Sequence, residues 1–164
     1  MKNKTTGKVN SSVLLIGGVV GLIFLVLLSY EKIRTGELKD NLPEYVVHDT
    51  FDEAMISAIS QSKTSERRKY RLSHGLSNSL FLPFRKSVIV TETVDYDTLK
   101  KHDFVSYENS QGVGVIHRLV EKTEDGWVIQ GDNNAYVDRD LVTPKNFTGK
   151  LIDPMHTWKG AIIE

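Results

Sequence analysis

Cysteine is absent from this 164-residue chain, which excludes disulfides, thiolate metal sites and a cysteine nucleophile. A charge excess of either sign is absent too. The 21 Lys and Arg stand against 21 Asp and Glu, so the balance gives no reason to expect nucleic acid as a partner. There is no internal repeat and no low-complexity tract. What is present fits one folded domain with an appendage at the N-terminus.

That appendage is the run Val13 to Leu28, sixteen residues without a polar side chain, bordered by Ser11-Ser12 and Ser29-Tyr30. With its borders, a helix here would be roughly 27 to 30 Å long at about 1.5 Å per residue, close to the hydrocarbon thickness of a bilayer. A cleavable signal peptide usually has an apolar core of about 7 to 15 residues ending in small residues. This run instead continues into Tyr30-Glu31-Lys32-Ile33-Arg34. The expectation is therefore a basic cytoplasmic N-terminus over 1–11 and an uncleaved single-pass anchor over 12–30. Lys2, Lys4 and Lys8 precede the span without an acid, while Lys32, Arg34 and Lys39 follow it among acids. The purely basic N-terminus places the C-terminal domain on the exported side.

Residues 31–76 read as a stem followed by a helix. Thr50 stands three residues before Glu53, a capping box that predicts a short amphipathic helix from about Phe51 into the 60s. Its end, with Lys63, Arg67, Arg68, Lys69 and Arg71, reads as a solvated helix terminus with favourable dipole charges, or as a contact for anionic lipid.

From residue 77 to 164 the pattern is mainly β. Strands are expected at Ser87 to Glu92, Phe104 to Glu108, Val113 to Glu121 and Trp127 to Gln130, joined by glycine-bearing hairpin loops, which gives an antiparallel domain. Phe104, Tyr107, Trp127, Phe147 and Trp158 are expected to support its core.

Within this region the order serine, histidine, aspartate stands out. Period two along Val113 to Glu121 places Val115, His117 and Leu119 on one face and Ile116, Arg118 and Val120 on the other. A histidine between apolar neighbours is most often a packed structural residue, but a neutral imidazole there also suits a general base. The string Gly131-Asp132-Asn133-Asn134 is by composition a turn. Because it follows the strand expected to pair with that of His117, Asp132 or Asp138 is in a position to orient the imidazole.

Ser77-Asn78-Ser79-Leu80, Val88 to Thr91, Asp103-Phe104-Val105-Ser106-Tyr107, Ile116-His117-Arg118-Leu119 and Gly131-Asp132-Asn133-Asn134-Ala135 with Asp138 together resemble type I signal peptidase. The likeness is to the endoplasmic-reticulum and archaeal branch, in which histidine replaces the lysine base, and it covers roughly residues 77–152. It implies a signal-peptidase-like antiparallel β domain carried on a transmembrane helix, with Ser79 as nucleophile and Ser77 as its rival. His117 would be the general base, Asp138 or Asp132 its acidic partner, and the Ser79 amide with the Ser77 hydroxyl the oxyanion site.

The implied reaction is removal of signal peptides, or cleavage of a dedicated exported precursor, by acyl transfer without metal or organic cofactor. Its partners would be the precursor protein, the lipid bilayer and other membrane subunits. Two departures are visible, one being the 48 residues between Tyr30 and Ser79 where the family usually sets its serine soon after the anchor. The family's Ser-Met-x-Pro block stands here as Ser79-Leu80-Phe81-Leu82-Pro83, which keeps open a catalytically inactive membrane subunit or scaffold of the same fold.

Overall fold

The computed structural model describes residues 23, 25–27, 29, 36, 38–74 and 85–162. The chain divides into two compact units, Met1–Asp40 and Asn41–Glu164. In the first, the described residues are helical, and the Ser29 hydroxyl donates back to the Leu25 carbonyl at 2.9 Å. Among the described residues no helix is long and apolar enough to cross a membrane. Most of the anchor expected over 12–30 lies outside the described residues.

The second unit is mainly an antiparallel sheet of seven strands. In chain order these are β1 (Tyr45–His48), β2 (Arg68–His74), β3 (Lys86–Glu92), β4 (Phe104–Glu108), β5 (Gly114–Lys122), β6 (Trp127–Gln130) and β7 (Phe147–Trp158), with the helix α1 (Phe51–Ser62) between β1 and β2. The sheet order is β2-β3-β7-β4-β5-β6, and β1 pairs with β7 in parallel.

Three features correct the sequence reading. The β unit begins at Asn41 rather than at residue 77, because β1, α1 and β2 all belong to it. The helix stops at Ser62 with Lys63 as its C-cap and no basic residue in its last turn. Arg68, Lys69 and Arg71, read as the helix's basic end, instead lie on β2 in antiparallel register with β3, and Arg67 and Arg68 both meet the Glu92 carboxylate. Finally, β7 was not anticipated, yet it is the strand that pairs with β1, β3 and β4.

Packing follows from side-chain size and alternation. The Thr50 hydroxyl accepts from the Glu53 amide to start α1, and Ala54 and Ala58, fully buried, let the helix lie close on Val88 and Val90 of β3. The two faces of the β4–β5 ladder bury different cores. One holds Val105, Tyr107, Leu119, Trp127, Ile129 and Val142, with Val115 packed against it. The other holds Ile89, Phe104, Leu151 and Met155, with Ile116 beside them.

Candidate active site

The alternation of β5 decides where the chemistry-bearing residues go. His117 pairs in register with Val105 of β4 and shares its face with Val115 and Leu119, whereas Arg118 turns to the opposite face beneath Phe104. The two adjacent polar residues thus enter different environments, and each takes its own carboxylate.

His117 is 8% exposed. Its Nδ1 lies 2.6 Å from Asp138 Oδ2, a distance at the short, strong end of charge-assisted hydrogen bonds. Asp138 stands in the irregular segment after β6, tied to that strand by its own amide, which donates to the Ile129 carbonyl at 2.8 Å. The same Oδ2 accepts from the Tyr107 hydroxyl at 2.9 Å. Burial, reinforced by that carboxylate, pushes the Tyr107 phenol far above its ordinary ionisation range.

Asp132, the other sequence candidate, is committed elsewhere. Arg118, 1% exposed, grips it with two parallel bonds, Nε to Oδ1 and Nη2 to Oδ2, both 2.8 Å. The remaining Nη1 donates to the Asn41 carbonyl at 2.7 Å, and the guanidinium carbon lies 4.3 Å over the Phe104 ring. This buried pair fastens the first residue of the second unit and the turn after β6 to the middle of β5. A fork-to-carboxylate pairing of this kind holds geometry, not a transferable proton. The structure therefore brings Asp138, and not Asp132, to the imidazole.

The loop that carries these acids is shaped by its own bonds. The Gln130 amide donates to the Asn134 carbonyl at 2.7 Å, and Asn134 N–H to the Gly131 carbonyl at 2.9 Å. Further on, Asp140 accepts from both the amide and the hydroxyl of Ser110, at 2.9 and 3.0 Å. That contact pins the loop to the turn between β4 and β5. It acts close to the His117–Asp138 pair, because Asp140 is two residues past Asp138.

Ser79, the expected nucleophile, and Ser77, its rival, lie outside the described residues, in the connection between β2 and β3. The strand that leads to them is described. Arg71 of β2 places Nη1 3.4 Å from Ser106 Oγ on β4, and Ser106 pairs with Ile116, the neighbour of His117.

The Asp138 carboxylate engages the Nδ1 side of the His117 ring, the arrangement in which an imidazole can act through its other nitrogen. A carboxylate so placed fixes the orientation of the imidazole ring. Sequence reasoning gave Tyr107 a place in the core and Arg118 a place on the face opposite His117, and gave neither a role at the site. The signal for Arg118 was available, because a strand arginine pointing into a core needs a carboxylate and Asp132 is close in the chain. Among the described residues no group of three or more His, Asp or Glu side chains has the arrangement of a metal site. No family model, curated protein or solved structure matches this chain.

Proposed function

We propose that this chain is a membrane-anchored serine endopeptidase of signal-peptidase type, cutting signal peptides or a dedicated exported precursor. The observation that carries the reading is the 2.6 Å contact of His117 Nδ1 with Asp138 Oδ2 on the face of β5. The resemblance of the Ser77-x-Ser79, Ile116-His117-Arg118-Leu119 and Gly131-Asp132-Asn133-Asn134 blocks to that family supports it.

In this mechanism the Ser79 hydroxyl oxygen bonds to the scissile carbonyl carbon as its proton passes to His117 Nε2. Asp138 stabilises the resulting imidazolium. The tetrahedral intermediate collapses, the C–N bond breaks, and His117 returns the proton to the leaving amine. Water then hydrolyses the acyl ester with the same imidazole as base. The Ser79 amide and the Ser77 hydroxyl are the oxyanion donors, each worth on the order of 3 to 4 kcal/mol. The substrate is an extended segment with small side chains next to the cut, held by strand addition. The anchor keeps the domain at the exported face of the bilayer.

The Ser79-Leu80-Phe81-Leu82-Pro83 block favours a second reading, a non-catalytic membrane subunit of the same fold. One experiment separates the two. Detergent-solubilised full chain incubated with a signal-bearing precursor should give one defined product, lost in Ser79→Ala. Loss in Ser77→Ala with normal cleavage by Ser79→Ala would reassign the nucleophile. No product from the unaltered chain would leave the scaffold reading.

A further inference from the structure

We infer that Tyr107 is a positioning residue for the proposed reaction, holding the Asp138 carboxylate in the orientation that His117 needs. The inference rests on the peptidase reading, but it concerns a residue to which that reading gives no role.

Asp138 sits in a segment with little else to fix its side chain. It lies between β6 and β7 outside any regular element, and its neighbours Tyr136 and Val137 are 84% and 50% exposed. Its backbone is anchored through the Ile129 carbonyl, which leaves rotation of the carboxylate about χ1 and χ2 to be settled by side-chain contacts. Tyr107 supplies such a contact from a rigid place. Its ring is 2% exposed, packed in the core with Val105, Leu119, Trp127 and Ile129.

The register makes the arrangement specific. Val105 pairs with His117 and Tyr107 with Val115, so Tyr107 stands diagonal to His117 on the same face, a separation that an aromatic side chain spans. The phenol and the imidazole therefore converge on one oxygen, Asp138 Oδ2, at 2.9 and 2.6 Å. Two donors from neighbouring strands define the direction of that oxygen, where one alone would leave it free to swing. Replacing the hydroxyl by hydrogen keeps the ring and its packing while removing one of the two constraints.

The test uses Tyr107→Phe in the full chain, alone and combined with Asp138→Asn. Precursor cleavage should fall about tenfold in kcat with KM unchanged, the effect of one hydrogen bond to a charged group. In the Asp138→Asn background the same change should have little further effect, because the carboxylate it positions is gone. A second readout is independent of turnover. The proton shared by His117 Nδ1 and Asp138 should give a far-downfield proton NMR resonance, and Tyr107→Phe should move it upfield as the carboxylate loosens. Wild-type kcat in Tyr107→Phe, an equal loss in both backgrounds, or a resonance that stays in place or moves further downfield would overturn the inference. If the unaltered chain cleaves no precursor, the peptidase reading fails, and the resonance alone decides whether Tyr107 holds the pair.

Discussion

The two acids in the loop after β6 differ in what their loss should do, and Asp132 gives the larger effect on the fold. Its carboxylate and the Arg118 guanidinium are each 1% exposed at the side chain and meet through two 2.8 Å bonds. In Asp132→Ala, Arg118 keeps its bond to the Asn41 carbonyl and its place over Phe104, but its buried charge loses the carboxylate that meets it through two bonds. Breaking one side of such a pair costs about 3 to 5 kcal/mol, a large part of the 5 to 15 kcal/mol that typically separates folded from unfolded. At about 4 °C per kcal/mol for a unit of this size, the melting temperature should fall by about 12 to 20 °C.

The assay is urea and thermal unfolding of the full chain followed by tryptophan fluorescence, since Trp127, on the strand that precedes Asp132, is buried in the core. Asp138→Asn should cost far less stability, because Asp138 is more exposed and its partners keep other contacts. A loss under about 1 kcal/mol in Asp132→Ala would refute the reasoning. It would mean that the guanidinium reaches water or another acceptor once Asp132 is gone.

Three further outcomes are expected, two from particular contacts and one from the charges that flank the apolar run. Gly126 has φ +149°, and a Cβ there would stand 2.6 Å from the Val142 carbonyl oxygen. Gly126→Ala should therefore destabilise the β5–β6 turn by about 1 to 3 kcal/mol, measured by urea unfolding, and a neutral result would contradict the close approach. His156 is held below its ordinary range by burial, with His48 adding to the shift. The unfolded chain therefore takes up a proton that the folded one resists, so stability should be full above about pH 6.5 and decline as pH falls below it. His156→Gln should flatten that decline in unfolding curves at pH 7.5 and 5.5, and an unchanged slope would exclude His156 as its source. In right-side-out membranes, external protease should digest the β unit, and full protection would reverse the proposed topology.

Strands β4, β5 and β6 were legible because Val, Ile and aromatic runs there are separated by short loops with glycine. Along β5 even the faces were legible, with Val115 and Leu119 in one core and Ile116 in the other. By contrast, β7 was hidden because Gly149, Asp153 and Pro154 stand inside it, residues that read locally as breakers although pairing on both sides holds the strand together. Likewise, β2 carries Arg68, Lys69 and Arg71 and continues a capped helix in sequence, so its pairing with β3 had no local signal. Tertiary pairing outweighs propensity in both.

At the candidate site, the sequence narrowed the acid to two residues of one loop but did not choose between them. The choice depends on which face of β5 each one meets, and that is fixed by Arg118 on one side and by Tyr107 with His117 on the other.

The central claim is that His117, oriented by Asp138, is the base of an acyl-transfer reaction. The most direct measurement is the single-turnover rate of precursor cleavage by the full chain, compared with His117→Ala and Asp138→Asn at saturating precursor. Both variants should bind precursor as the unaltered chain does, with the rate falling by about 10⁴ in Asp138→Asn and by up to about 10⁶ in His117→Ala, the losses expected when an orienting carboxylate or a base is removed. Cleavage by His117→Ala at the unaltered rate would contradict the claim.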